Sequence, residues 1–302
     1  MNNIAALITC AENLKDGYVL CVGDVMLDRF VYGDVERISP EAPIPVFRIL
    51  SESVMLGGAG NVARNISGLG GRTRFVSIVG NDQAGRDVTT QIGKICDLEA
   101  RLITDTSRKT TIKTRYVASG QQMMRADDET VASLDGTTRT SLLDAATLGM
   151  ENCSALVLAD YGKGVLSDGI AGELIRMARL KAIPVIVDPQ GSTYDAYMGA
   201  TLVTPNRKEL TDATGLSADT TDEIIIAASK LARQSGIEAV LATRSGDGMT
   251  LVRNADNHAH YPAEAKEVFD VSGAGDTVVA CITTALAAGI CIEQAVALAN
   301  VA

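Results

Sequence analysis

Six short runs in this chain are apolar on consecutive residues rather than on alternate ones. They are "YVLCVGD" (18–24), "RFVSIVG" (74–80), "ALVLADY" (155–161), "PVIVDP" (184–189), "TLVTPN" (201–206) and "AVLATRS" (239–245). A strand that is apolar on both faces must be covered on both, which is the situation of a parallel sheet packed between two layers of helices. Between the runs the period changes to that of a helix. Val62, Ile66 and Leu69 share one face of "GNVARNISGLG", "SDGIAGELIRMARLKA" opens on a capping residue at Ser167 or Asp168, and "DEIIIAASKLARQSG" closes on Gly236. Strands alternating with helices predict βαβ units, hence an α/β fold with a mostly parallel central sheet flanked by helices. The 302 residues, 46% of them hydrophobic, suffice for one large core.

Two stretches break this rhythm. "RFVYGDVERISPEAPIPVFRIL" (29–50) and "KTTIKTRYVASGQQMMRADDETV" (109–131) have strand-like patches and turns, with no helix between their halves. They predict a separate small β-sheet, inserted twice into a single domain of residues 1–302 at approximately 29–56 and 105–131. Exposed, partly polar strands of this kind suit a lid.

The charge balance, 27 basic against 37 acidic residues, is −10 and contains no polybasic block. Nucleic acid and anionic membrane are therefore poor partners. Six scattered cysteines without a CxxC pair argue against a zinc site or disulfide framework and for a reducing cytoplasm. No charged-then-apolar leader opens the chain, and the apolar stretch from Val278 to Gly289 is too short to span a bilayer. The last residues, "EQAVALANVA", follow a helical pattern.

The octet "DVSGAGDT" (270–277) precedes a long run of small apolar residues. Gly273, Ala274 and Gly275 keep no ligand away from the main chain. A glycine-rich turn that opens a helix presents unpaired N–H groups together with the positive end of the helix dipole. Donors fixed in this way stabilise the charge that spreads over a phosphoryl group in transfer. Asp276 would then stand beside the anion, a repulsive placement that makes sense if it orients an attacking hydroxyl and accepts its proton. The octet alone is equally a tightly packed helix start with a dipole-favoured aspartate.

Other loops fall at the C-terminal ends of the predicted strands, the edge where open α/β sheets bind ligands. In "GGAGNVARN", Gly57 and Gly58 bring backbone close to a sugar, and Asn61 offers an amide to its hydroxyls. The G-x-G-x-x-A spacing there does not follow the first strand, so a dinucleotide site is a weak reading. "TPNRKEL" sets Asn206 and Glu209 three apart on one helical face, where an acid can hold water on Mg²⁺ while Asn206, Arg207 and Lys208 approach phosphates; alone it is also a capped helix with a solvated turn. "ATRSGDG" turns Thr243, Ser245, Gly246 and Gly248 toward a nucleotide, or is an ordinary hairpin into "MTLVRN". "GDVMLD" places Asp24 and Asp28 where a carboxylate grips paired hydroxyls, and "ADYGKG" adds an acid and Lys163. His258 and His260 have no carboxylate or cysteine pattern to complete a metal site. G-x-x-x-x-G-K-[ST], H-R-D and D-F-G are all absent.

The pair "GGAGNVARNISGLG" and "DVSGAGDT", in this order, resembles the two signatures of the ribokinase-like (PfkB) carbohydrate kinases, and the resemblance covers essentially the whole chain. It implies a ribokinase-like fold, ATP and Mg²⁺ as cofactors, and a β-sheet lid that covers the sugar and pairs two subunits. By motif, Asp276 resembles the family's catalytic base and Gly273 to Gly275 its anion hole. Asn206 to Glu209 resembles its ATP and magnesium segment, with Glu209 acting on Mg²⁺ through water, and Asp28, Gly57, Gly58 and Asn61 match sugar-contact positions. "GDVMLDRFVYGDVERISPEAPIPV", "ADYGKGVLS" and "VDPQG" resemble the branch acting on D-glycero-β-D-manno-heptose 7-phosphate, with Gln190 where that branch has lysine. That branch forms the 1,7-bisphosphate on the route to ADP-heptose for lipopolysaccharide, standing alone or fused to a C-terminal adenylyltransferase. Lys163 and Arg125 are added, on charge alone, as candidates for the substrate's own phosphate. Rival readings are a fructokinase-, ribokinase- or adenosine-kinase-like enzyme with another acceptor, and a nucleotide- or sugar-binding regulatory protein that kept the fold without turnover.

Overall fold

Residues 19 to 22 show how consecutive apolar positions are used. Val19 and Cys21 enter one core and Leu20 and Val22 the other, all without solvent exposure. The computed structural model describes residues 4–263 and 273–302. Asp270, Val271 and Ser272 of the glycine-rich octet lie outside the described residues.

Helices run as α1 (Ile4–Asn13), α2 (Ala59–Gly68), α3 (Gln83–Ile92), α4 (Gly136–Gly149), α5 (Ile170–Leu180), α6 (Arg207–Thr214), α7 (Thr221–Ser235), α8 (Ala274–Ala287) and α9 (Ile292–Ala299). Strands are β1 (Tyr18–Gly23), β2 (Val25–Ile38), β3 (Pro45–Gly58), β4 (Arg72–Gly80), β5 (Leu98–Asp105), β6 (Thr111–Ala118), β7 (Gln121–Asp128), β8 (Ala155–Ala159), β9 (Val185–Asp188), β10 (Leu202–Val203), β11 (Val240–Thr243), β12 (Met249–Asn254) and β13 (Asn257–Tyr261).

A nine-stranded sheet has the order β13-β12-β11-β10-β9-β8-β1-β4-β5. From β11 to β5 every neighbour is parallel, and β12 and β13 add an antiparallel edge. Helices α1, α2, α3, α8 and α9 cover one face, and α4 to α7 cover the other. Each fully buried aliphatic or aromatic side chain in these two cores contributes roughly 1.5–3 kcal/mol from leaving water. Among the described residues no helix is long and apolar enough to cross a membrane, and all six cysteines are free thiols.

A second, four-stranded sheet has the order β3-β2-β6-β7. Its root is anchored in the first core by Val25, Leu27 and Leu56, whereas β7 is exposed along its whole length.

Local details differ from the sequence expectation at three places. Helix α5 begins at Ile170 behind Gly169, which is left-handed at φ 80, and has no side-chain cap. The Ser167 hydroxyl instead donates to Gly164 O at 2.8 Å. The run 201–206 yields only the two-residue β10, because Pro205 lacks a donor and Asn206 already caps α6. Helix α9 ends at Ala299, three residues before the last one seen.

Candidate active site

Helix α8 starts on Gly273, left-handed at φ 82. A Cβ there would come within 2.9 Å of Asn61 Nδ2, whereas one at Gly275 would meet nothing within 4 Å. Glycine is therefore needed at 273 for its backbone and for the approach of Asn61, and the open space lies over Gly275. The first donor within α8 is Thr277 N–H, to Gly273 O at 3.0 Å. The amides of Ala274, Gly275 and Asp276 thus have no acceptor inside the helix and face the dipole's positive end.

Asp276, one turn in, is gripped at both oxygens. Asn61 Nδ2 donates to Oδ2 at 2.5 Å, and the Tyr161 hydroxyl donates to Oδ1 at 2.6 Å. The Asn61 amide cannot turn over without loss, because Arg64 donates to its Oδ1 at 2.6 Å. Asn61 thus holds Asp276 with one N–H of its amide, and the second N–H of that group is left for a ligand.

Tyr161 also lies 2.9 Å from Asp188 Oδ2. One hydroxyl proton cannot serve two carboxylates, so the second contact needs a proton on Asp188. Burial, then the charge of Asp276, pushes Asp188 up to about 7, so it takes up that proton far more readily than an ordinary carboxylate. Burial and the same two carboxylates hold the Tyr161 hydroxyl well above its ordinary value, so it remains a neutral donor.

The loop that carries Tyr161 is fixed from below. Buried Asp24 accepts the N–H groups of Tyr161, Lys163 and Val165 at 2.9, 3.0 and 3.0 Å. Burial raises Asp24 above its ordinary value, partly offset by those amides. Its work is to shape the "ADYGKG" turn, whereas gripping a ligand's hydroxyls would require it to be exposed.

Beside Tyr161 opens a cavity of about 510 Å³. Thr243, Ser245, Gly246 and Gly248 line one wall, Asn206 and Glu209 another, and Ala274 and Gly275 a third. Strand ends from Tyr161 to Thr243 meet here because all belong to the C-terminal edge of the parallel sheet. The loop after β11 is at once a nucleotide-sized wall and the hairpin into β12. Asn206 and Glu209 form a capping box at 2.9 and 3.0 Å. Burial holds Glu209 above its ordinary value despite the hydrogen bonds from Asn206.

Other expected residues fall elsewhere. Lys208 is 84% exposed and reaches Asp212 one turn on, at 2.5 Å; Arg207 pairs with Asp247. Neither lines the cavity, because the helical period that turns Glu209 inward turns these two outward. Asp28 packs against Gly57, where a Cβ would sit 2.4 Å from its Oδ2, and Gly58 is the N-cap of α2. Lys163 pairs with Glu129 at 2.8 Å and Arg125 with Asp127 at 2.9 Å, so both cations are already neutralised. His258 is exposed, and His260 stands beside Arg244 and Thr250. Among the described residues no group of three metal-binding side chains occurs.

Two residues of the candidate site and its surroundings lay beyond sequence reasoning. Tyr161 sits in a turn noted only for its acid, lysine and glycines, and its partner Asp276 is 115 positions away. Arg115, whose Nη1 donates to Asp28 at 2.5 Å with its guanidinium over Phe30, carries no local signal. Asp188 carried a faint signal in "VDPQG", a strand ending in an acid at the ligand-binding edge.

A helix N-terminus whose first amides have no acceptor within the helix, an oriented aspartate beside it and a nucleotide-sized cavity at one sheet edge fit the class of α/β proteins that bind phosphate-bearing ligands at that edge. The comparisons narrow the class: the model of the pfkB family carbohydrate kinases matches residues 16–302, and the chain belongs to that family. It is 53% identical over its full length to the bifunctional protein HldE of Paramagnetospirillum magneticum and 51% identical to that of Rhodospirillum rubrum. It spans 62% and 61% of those two relatives. Among solved structures, Arabidopsis thaliana ribokinase complexed with ribose and ATP superposes with TM-score 0.72 at 19% identity, covering 94% of this chain and 90% of that one. Escherichia coli phosphofructokinase-2 in complex with substrates and products gives TM-score 0.75 at 22% identity, covering 93% and 89%. These likenesses show the ribokinase fold and confirm the resemblance read from the two glycine-rich signatures.

Proposed function

We propose that this chain is an ATP-dependent kinase that phosphorylates the anomeric hydroxyl of D-glycero-β-D-manno-heptose 7-phosphate to the 1,7-bisphosphate. The observation that carries the reading is Asp276, held at both oxygens one turn inside the helix whose open amides line the cavity. Relatives named HldE at about half identity support the choice of branch, beside the resemblance already read from the "ADYGKG" and "VDPQG" loops.

In this reading the nucleotide lies against Thr243, Ser245, Gly246 and Gly248, with its phosphates directed toward Ala274 and Gly275. The amides there match the charge that spreads over the migrating phosphoryl group. Tyr161 and Asn61 hold Asp276 at the angle needed to receive the sugar's anomeric proton. Because the proton moves late in a loose transition state, this orientation matters more than basicity. The small sheet closes over the sugar and excludes water, which would otherwise compete as acceptor.

Mg²⁺ fits the residues present. Glu209 is a half-buried carboxylate in the cavity wall, and magnesium is usually held by one or two carboxylates together with substrate phosphates rather than by an all-protein cage. Bound there, the ion would neutralise charge on the ATP phosphates.

Residues 1–302 are read as one kinase domain, paired into a homodimer through the small sheet. Its exposed Ile38, Ile49, Leu50 and Met124 support that pairing. The greater length of the relatives accommodates a C-terminal adenylyltransferase. The free thiols suit the cytoplasm.

A coupled ADP-release assay with heptose 7-phosphate beside ribose, fructose and fructose 6-phosphate tests the proposal. Preference for heptose 7-phosphate is expected, and preference for an unphosphorylated sugar would overturn it.

A further inference from the structure

The inner face of the small sheet has a cation that none of the roles above uses. Register sets Asp28, Lys113 and Asp127 side by side on β2, β6 and β7, with Phe30, Arg115 and Arg125 in the next row. Residues in register, or two apart along a strand, point to the same face. Asp28 identifies that face as the one turned to the glycine-rich turn, since its carboxylate lies against Gly57. Leu27 and Ile112, on the opposite face, pack into the core instead.

Three of the four cations gathered here are matched. Arg115 has Asp28 at 2.5 Å, Arg125 has Asp127 at 2.9 Å and Lys163 has Glu129 at 2.8 Å. Among the described residues Lys113 has neither a salt bridge nor a side-chain hydrogen bond, although it is half-buried. Burial pushes Lys113 below its ordinary value; Asp28 and Asp127 oppose this, and Arg125 and Lys163 reinforce it. An ammonium left without a partner in such a place costs stability unless something arrives to match it. A phosphate dianion would do so, and lysine suits it as a compact point charge.

We propose that Lys113 receives the phosphate monoester already present on the acceptor, and so selects a phosphorylated sugar over the same sugar without phosphate. The proposal rests on the kinase reading above and assigns the acceptor's far end to the β2–β6–β7 face. Lys163 and Arg125, the cations expected from sequence, stay with their own carboxylates and leave Lys113 as the cation free to meet the phosphate.

The test compares wild type, Lys113→Met and Lys113→Arg on heptose 7-phosphate and on the unphosphorylated heptose, with calorimetric binding of heptose 7-phosphate in parallel. Lys113→Met should lower kcat/KM for the phosphorylated acceptor about 10- to 100-fold more than for the plain sugar. The loss should fall on KM and appear equally as weaker binding in the calorimeter, and Lys113→Arg should recover most of it. An equal loss on both acceptors, or a loss confined to kcat, would show that Lys113 only balances Asp28 and Asp127, and would overturn the inference. If wild type instead prefers another sugar phosphate, the heptose assignment fails. The same ratio, measured on that compound and its dephosphorylated counterpart, then judges Lys113 separately.

Discussion

The two sheets of this molecule use strands in opposite ways. Strands β1, β8 and β9 are short, buried on both faces and nearly devoid of charge, so each position contributes to one of two cores. Strands β2 and β3 run 14 residues each, and with β6 and β7 they carry charged pairs on one side and exposed apolar residues such as Ile49 and Met124. The amides after Gly273 and the Asp276 carboxylate sit at the covered sheet's edge, where packing fixes them, while the paired charges around Lys113 sit on the exposed sheet.

The junction between the sheets is itself polar. Arg108 lies between β5 and β6, donates to Asp105 at 3.0 Å, and also donates to the carbonyls of Lys163 and Ala132 at 3.2 and 2.9 Å. Burial presses Asp105 upward, but the Ser107 hydroxyl and N–H and the Arg108 guanidinium outweigh it and hold the carboxylate below its ordinary value. Arg108→Met leaves Asp105 buried and unmatched, so unfolding by urea should show a loss of about 3–5 kcal/mol. A loss below about 1 kcal/mol would mean that the two sheets are not coupled through this residue.

Asp188 tests the covered sheet by pH. Its ordinary value of 3.8 applies to the unfolded chain, and in the folded protein it titrates at about 7. Between those values the folded state binds more protons, so stability falls as pH rises from about 4 to about 7 and is level above. In the protein without ligands, Asp188→Asn removes that slope. Its stability relative to wild type should be unchanged below about pH 4, climb through the window and reach a gain of about 4 kcal/mol, from roughly three pKa units at about 1.4 kcal/mol each. A gain that shrinks with rising pH would contradict the burial argument.

Tyr161→Phe removes one of the two donors to Asp276 while keeping the ring against the cavity. Turnover should drop about 10-fold with KM for ATP little changed, as loss of a charge-assisted hydrogen bond implies. On the exposed sheet, Met124→Ala should alter the stability of a single subunit by no more than about 0.5 kcal/mol. If sedimentation then shows weaker self-association, the outer face of the small sheet is the subunit contact; unchanged association would place it elsewhere.

Much of this contrast was legible in the sequence. Consecutive apolar residues marked the covered strands, and the loss of that pattern at 29–50 and 109–131 marked the other sheet. The wall from Thr243 to Gly248 and the turn at Gly273 were readable as candidates because glycines at strand ends and helix starts leave the main chain open to a ligand, although each stretch alone also reads as ordinary structure. Lys208 was misplaced, since three adjacent polar residues in "NRKE" look alike until helical phase separates them. Tyr161, Arg115 and Lys113 were out of reach because their meaning is relational: a tyrosine between two distant aspartates, or the one unmatched lysine among matched pairs, exists only once strands are in register.

The central claim is that Asp276, oriented by Asn61 and Tyr161 at the mouth of α8, directs the incoming sugar hydroxyl. Steady-state turnover of Asp276→Asn with ATP and heptose 7-phosphate, alongside calorimetric ATP binding, tests it most directly. The account predicts a folded protein with near-normal ATP affinity and at least ~100-fold lower kcat. Turnover within a few-fold of wild type would contradict it.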